Sequence, residues 1–264
     1  MTEMSLKSMI HRDRWIVLFG LLSVTALAWL YLVLMAADMN DMTAMSAMGD
    51  AMAKMRIVPW TIVDFGLMYV MWSVMMMGMM LPSASPMVLM FAKINRDQRD
   101  KGEPFVPTGT FVAGYIAIWS AFSLVATVLQ LELHDAGLLS PMMASTNAAY
   151  SGIAFMLVGL YQWTPLKNAC LRHCQTPLGF LMTRWRDGAG GAFRMGLSHG
   201  AYCVGCCWAL MALLFVGGVM NLLWVAAIAI FTLAEKCTQP GPWLPRISGA
   251  ALIAWGAWTV AQIP

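Results

Sequence analysis

Long apolar runs alternate with short polar stretches along the whole chain. Each run is close to the ~20 apolar residues that a helix needs to cross the hydrocarbon core of a bilayer. Backbone N–H and C=O groups inside lipid must bond within the protein, so such runs form helices rather than open strands. The pattern predicts an all-α fold, a polytopic transmembrane helical bundle of about seven spans, at residues 15–37, 60–81, 108–131, 144–163, 195–216, 218–234 and 247–263.

Composition and charge agree with a membrane protein and predict its orientation. Of the 264 residues, 60% are hydrophobic and 11% are charged, whereas roughly a quarter are charged in a soluble domain. With a cytoplasmic N-terminus, only Lys54 and Arg56 of the 16 Lys and Arg fall in outer segments. Basic residues favour cytoplasmic loops, so the N-terminus is predicted to be cytoplasmic. The net charge of +3 gives no indication of nucleic acid binding.

These observations predict one membrane domain, residues 1–264, with the lipid bilayer as its immediate surroundings. A bacterial inner (plasma) membrane is the expected location. Within this domain Pro82 and Pro86 are expected to end or kink the second helix, since proline lacks a backbone N–H. Gly196 and Gly200 are four residues apart and predict close helix packing on the fifth span.

Methionine is unusually frequent, with 26 copies. A methionine-rich outer loop is predicted at about 38–59, in which methionines recur every three or four residues. That spacing aligns them on one face if the loop is helical. Thioethers are soft ligands that suit Cu(I), and the residues singled out as metal ligands are Met39, Met42, Met45 and Met48. The alternative is an amphipathic helix whose methionine face lies on the membrane surface.

All six cysteines fall on the cytoplasmic side of the predicted topology. Cysteines at a reducing face are expected to be thiols held for metal or redox chemistry rather than disulfides. Cys170 and Cys174 lie in the sequence CLRHC of the long inner loop, and Cys237 follows Glu235 and Lys236. Glu235 is either a membrane-edge residue or a group facing the other cysteines.

The stretch SHGAYCVGCCWALM, residues 198–211, is the most informative part of the chain. At about 3.6 residues per turn, one helical face carries an imidazole, three thiols and a thioether: His199, Cys203, Cys206, Cys207 and Met211. Free cysteine also packs as a small hydrophobic residue, and His199 could simply bond a neighbouring helix. We favour metal coordination by His199, Cys203, Cys206 and Cys207, with packing and thiol redox chemistry as alternatives.

Three segments resemble a known bacterial family of unknown function, described as a predicted metal-binding integral membrane protein. They are MYVMWSVMMMGMMLPSASPMVLMF in the second helix, GLSHGAYCVGCCWALM in the fifth and AEK at the end of the sixth. The resemblance covers about 60–236. It implies an inner-membrane helical bundle with a metal site at Cys203, Cys206 and Cys207, and it supplies no reaction.

The sequence therefore predicts a membrane protein that binds a soft metal, most readily copper as Cu(I), for uptake, delivery or insertion into a membrane or periplasmic partner protein. One alternative is a membrane redox enzyme that uses the thiols or a bound metal, so the question of enzymatic activity stays open. A second alternative is a structural subunit of a larger membrane complex.

Overall fold

The structure is a computed structural model that describes residues 15, 17–38, 60–99, 106–139, 147–238 and 243–263. The regular elements in these ranges are helices, as predicted, and no β-strand lies among them. In chain order they are α1 Val17–Asp38, α2 Ile62–Arg99, α3 Thr108–Asp135, α4 Ala148–Gln162, α5 Pro165–Gln175, α6 Pro177–Arg184, α7 Gly188–Ala212, α8 Leu214–Gly217, α9 Leu222–Cys237 and α10 Trp243–Ala261.

Four of these helical stretches are long and apolar enough to cross a membrane: Val17–Asp38, Ile62–Gln98, Thr108–Asp135 and Gly188–Gly217. Large apolar side chains cover their outer surfaces; Phe19 is 75% exposed and Leu27 is 64% exposed on α1. A soluble protein rarely exposes apolar patches of that extent. The structure thus supports membrane association, while seven spans and a cytoplasmic N-terminus remain predictions.

Helix α2 runs without a break through both prolines and continues to Arg99. Neither proline ends the helix, so the part of the prediction that Pro82 and Pro86 end it is wrong, and a kink at these residues stays a prediction. Pro86 has no backbone N–H, so it cannot donate the helical hydrogen bond to the carbonyl of Pro82, one turn earlier. The hydroxyl of Ser85 donates to that carbonyl at 2.8 Å instead, which satisfies the acceptor locally.

Helices α3 and α7 approach closely through glycine, as the Gly196 and Gly200 spacing predicted. A Cβ added to Gly196 would lie 2.0 Å from the carbonyl oxygen of Phe111, and one added to Gly114 would lie 2.2 Å from that of Phe193. A Cβ on Gly200 would come within 2.9 Å of the Ile118 side chain. Backbone therefore packs directly on backbone, and this contact holds α7 against α3.

Helices α4 and α10 form a second closely packed antiparallel pair. Gly159 faces Gly249, and Gly152 faces Gly256; a Cβ at any of the four would lie 2.5–2.8 Å from the backbone oxygen opposite. The indole N–H of Trp163 donates to the carbonyl of Arg246 at 3.1 Å near the end of this pair.

Helices α5 and α6 occupy the inner stretch that the sequence predicted to be a loop. Each begins with a proline at its first position, where the missing N–H costs nothing. The Thr164 hydroxyl caps α5 by accepting from the amide of Lys167. The Lys167 ammonium then reaches Glu235 on α9, at 2.9 Å from Oε1 and 2.8 Å from Oε2. This buried ion pair fixes α5 against α9 and brings its cysteines toward α7.

Candidate metal centre

The face of α7 that the sequence singled out lies in the core. His199 is 2% exposed, and Cys203, Cys206 and Cys207 are each 1% exposed. Met211, at the far end of the same face, is also 1% exposed. A helix with about 3.6 residues per turn keeps positions separated by four, seven and eight residues on one side. The five side chains therefore share the inward face of α7.

Sulfur atoms from α2 and α7 surround a buried ammonium from α9. The Nζ atom of Lys236 lies 3.0 Å from the sulfur of Cys203, 3.5 Å from that of Met80 and 3.9 Å from that of Cys207. Met80 and Cys207 approach each other directly, with their sulfurs 4.0 Å apart. We call Met80, Cys203 and Cys207 the sulfur cluster. Its centre holds a positive charge, so the surroundings already suit a cation.

Two hydroxyl groups complete the contacts around the sulfur cluster. Lys236 Nζ donates to the Ser83 hydroxyl at 3.1 Å. The Tyr115 hydroxyl lies 3.1 Å from the Cys203 sulfur and donates to the Met80 carbonyl at 3.2 Å. Ser83 and Met80 belong to α2 and Tyr115 to α3, so four helices meet at the cluster. Because the Tyr115 hydroxyl has one proton and gives it to the Met80 carbonyl, it can accept a hydrogen bond from the Cys203 thiol.

The cysteine thiols bond within their own helix in this conformation. Cys206 and Cys207 both donate to the Cys203 carbonyl, at 3.1 Å and 3.0 Å. In the part of the chain that the structure describes, no group of three or more His, Cys, Asp or Glu side chains is arranged to hold a metal. The four residues predicted as inner ligands thus lie on one buried face without forming a closed coordination shell. Rotation about a single side-chain bond would redirect each thiol.

His199 lies one turn before Cys203 among aromatic rings. Its ring stacks on Tyr115, with centroids 5.5 Å apart, and meets Phe180 edge-on at 5.7 Å. The Nδ1 atom is buried and has no hydrogen-bond partner. Leaving a buried polar atom unsatisfied costs about 1–3 kcal/mol. A neutral imidazole nitrogen of this kind can donate its lone pair to a metal ion.

Two cysteines of α5 extend the group of thiols beyond α7. Hydrogen bonding toward Cys203 and Cys206, together with burial, raises the pKa of the Cys174 thiol well above its usual value. Cys170 lies so close to α7 that a Cβ on Gly205 would be 2.8 Å from its sulfur. Burial and the neighbouring Cys206 raise the pKa of the Cys170 thiol as well.

The ligands named from sequence do not include four of the groups that line this site: Met80, Tyr115, Cys174 and Lys236. Cys174 was nevertheless expected to be a thiol held for metal or redox chemistry. The four-residue spacing of Cys170 and Cys174 was a usable signal, because it places both thiols on one side of a helix. Met80 was hidden among the many methionines of α2. Nothing local marks Tyr115 or Lys236, because their roles depend on contacts between distant helices.

Comparison with known proteins adds one result. A family model described as a copper chaperone, PpoB2, matches residues 69–259. The chain belongs to this copper chaperone family. No match was found among curated proteins or among solved structures. The matched region runs from α2 to α10 and includes the sulfur cluster, Lys236 and both α5 cysteines.

Membership of a copper chaperone family confirms part of what the sequence predicted. It supports a copper-related function and makes an interaction with a protein partner an expected property. The resemblance to a metal-binding membrane family is supported only as far as this copper-related assignment. Residues 39–59, which include Met39, Met42, Met45 and Met48, lie outside both the matched region and the described residues.

Proposed function

We propose that the chain is a multi-pass membrane copper chaperone that binds Cu(I) at the sulfur cluster and passes it to a partner protein. The observation that carries this proposal is the convergence of Met80, Cys203 and Cys207 around the Lys236 ammonium, inside a copper chaperone family. The buried position would keep the ion away from water and from competing ligands.

The chemistry of the cluster favours Cu(I) over the other common metals. Thiolate and thioether ligands select soft ions, and a thioether is a poor ligand for zinc, magnesium or calcium. A structural zinc site takes four ligands, typically thiolate and imidazole, in a tetrahedron. Two thiols with one thioether match a soft ion of low coordination number better than they match zinc.

Cys206 and His199 are proposed as further ligands. Cys206 lies on the same buried face, and its thiol now donates to the Cys203 carbonyl, a bond that side-chain rotation would release. The unpartnered Nδ1 of His199 supports its inclusion. Together they would allow the site to exchange ligands while the ion stays bound.

The proposal also includes the membrane topology and the outer methionines. A single membrane domain with seven spans, a cytoplasmic N-terminus and a bacterial inner-membrane location is supported by the charge distribution of the sequence. The outer methionines Met39, Met42, Met45 and Met48 would capture copper on the outer side. Uptake, delivery and insertion into a partner all remain compatible with this arrangement.

A Cu(I) competition titration tests the proposal. The purified, reduced protein is titrated in detergent against bicinchoninate, a chromophoric Cu(I) chelator. We expect stoichiometric binding that weakens by at least about tenfold, or roughly 1.4 kcal/mol, in Cys203→Ser, Cys207→Ser and Met80→Leu. Cys237→Ser is the matched control, because Cys237 is exposed.

Three results would contradict copper binding at this site. If Cys237→Ser weakened Cu(I) binding as much as the cluster variants do, the effect would not be specific to the sulfur cluster. Unchanged affinity in all the cluster variants would locate the copper elsewhere. If the parent protein bound no copper but had reactive thiols, the redox alternative would be favoured. If it had neither property, a structural subunit would be favoured.

A further inference from the structure

Thiols lead from the sulfur cluster toward the protein surface in order of increasing exposure. Cys203 and Cys206 are each 1% exposed, Cys174 is 9% exposed, and Cys170 is partly exposed. The first two belong to α7 and the last two to α5. The proposed copper site itself is closed to solvent, so an ion held there needs a route by which it can leave.

Helix packing connects successive members of this series. Cys174 is buried in the same core as Cys203, a member of the sulfur cluster, on a helix that packs against α7. Cys170 and Cys174 are separated by one helical turn, a spacing that brings side chains to within about 5–6 Å. Cys170 also lies against α7 at Gly205. Each step therefore joins side chains on one helix or on two helices in contact.

Several bonds hold α5 in position against its neighbours. The Lys167–Glu235 ion pair ties it to α9, with both side chains at most 1% exposed. The side-chain amide of Gln175 donates to the Glu235 carbonyl at 2.8 Å. Tyr161, near the end of α4 and shortly before α5, donates through its hydroxyl to the Gly205 carbonyl of α7. The α5 thiols are thus pre-organised rather than carried on a free loop.

His173, between the two α5 cysteines, is already engaged in other contacts. Its Nδ1 lies 2.8 Å from the Ala169 carbonyl oxygen, and its ring stacks on Tyr202 with centroids 4.1 Å apart. The soft ligands that α5 offers are the sulfurs of Cys170 and Cys174. The polar side chains of α5, including Asn168 and Arg172, are consistent with a helix outside the apolar part of the membrane.

We propose that Cys174 and Cys170 form the route by which copper moves between the sulfur cluster and an acceptor protein, through stepwise sulfur exchange. This inference rests on the proposed function. In the first step a Cu–S bond forms to Cys174 before the Cu–S bond to Cys203 breaks. The proton that Cys174 loses passes to the Cys203 sulfur. Copper stays Cu(I) throughout, so no oxidant or reductant takes part.

The second and third steps repeat the same exchange. Cys170 takes the ion from Cys174 and returns a proton to it. A thiol of the acceptor then takes the ion from Cys170, which is the first sulfur of the series that an outside ligand can reach. An acceptor therefore needs no access to the buried cluster itself.

Separate measurements of affinity and transfer rate test the route. Parent, Cys174→Ser, Cys170→Ser and the control Cys237→Ser are loaded with Cu(I) under reducing conditions. Equilibrium competition with bicinchoninate measures affinity, and stopped-flow mixing with excess bicinchoninate measures release. We expect the α5 variants to keep their affinity within about twofold and to release copper at least about tenfold more slowly. Cys237→Ser should match the parent in both.

A second measurement removes the dependence on mutant folding. In the Cys237→Ser background, the accessible Cys170 of the folded protein is alkylated with iodoacetamide, and release should slow as it does in Cys170→Ser. Release at the parental rate after either change would overturn the route. A parallel loss of affinity would also overturn it, because Cys174 would then be a resting ligand. A parent that binds no copper would defeat the proposed function itself, and the route with it.

Discussion

The ammonium of Lys236 lies 3.0 Å from the sulfur of Cys203, at a place where the proposed function requires a metal ion. Lys236 is 5% exposed, and its head group also contacts the sulfurs of Met80 and Cys207. Taking an ammonium out of water costs several kcal/mol, so its burial among soft acceptors needs a reason. We infer that it fills the cation position in the copper-free protein and must move when copper enters.

Removal of the Lys236 charge should therefore strengthen copper binding. Lys236→Leu deletes the ammonium without adding a soft ligand, and it spares copper the cost of displacing the charge. We expect Cu(I) affinity to rise by about tenfold, or roughly 1.4 kcal/mol, in the bicinchoninate titration. Lys236→Arg retains the charge and should show no such gain. Weaker binding by Lys236→Leu would mean that the ammonium supports the copper ligands instead of competing with the ion.

The ion pair between Lys167 and Glu235 should be a major contributor to stability. Both side chains are at most 1% exposed, and breaking such a pair by removing one partner costs about 3–5 kcal/mol. Lys167→Met leaves the Glu235 carboxylate buried and unpaired, so its thermal unfolding in detergent should shift to clearly lower temperature. The double variant Lys167→Met/Glu235→Leu should recover most of that loss, because neither charge remains. A stable single variant would contradict this assignment.

The long apolar helices were predictable from sequence because apolar length is a local property, whereas α5 and α6 lie in a stretch that was expected to be a loop. The buried face of α7 was predictable for the same reason, since the spacing of His199, Cys203 and Cys207 follows the helical repeat. The approach of Lys236 to Cys203 was not predictable, because it joins residues 33 positions apart on two helices. The burial of Lys167 escaped prediction as well: its inner stretch reads as a polar loop, and only its partner on α9 explains the position.

The contact between α3 and α7 should be intolerant of any side chain at Gly196. A Cβ there would lie 2.0 Å from the Phe111 carbonyl oxygen, and a backbone atom cannot move aside cheaply. Gly196→Ala should lower the free energy of unfolding by about 1–3 kcal/mol, measured by chemical unfolding in detergent. Gly190, in the same helix, has no atom within 4 Å of its added Cβ. Gly190→Ala is thus the matched control, and equal destabilisation by both would contradict the close packing.

The proposed outer capture site can be tested by exchanging thioethers for apolar groups of similar volume. In the variant Met39→Leu/Met42→Leu/Met45→Leu/Met48→Leu the apolar character is kept, but the soft ligands are lost. Copper accumulation by cells at limiting external copper should fall, while membrane insertion is unchanged. The control exchanges Met71 and Met75, which are fully buried on α2, for leucine. Parental accumulation in the loop variant would indicate that these methionines only cover a membrane surface.

Thiol labelling should reveal both the orientation of the chain and the side on which the α5 route opens. Cys237 is exposed and Cys170 is partly exposed, whereas Cys203, Cys206 and Cys207 are each 1% exposed. An impermeant maleimide should therefore label no cysteine in intact cells and should label Cys237 and Cys170 in inside-out vesicles. The Cys170→Ser/Cys237→Ser variant should lose most of this signal, since the buried thiols cannot reach the reagent. Labelling of Cys170 in intact cells would reverse the predicted orientation, and the acceptor for copper would then lie on the outer side of the membrane.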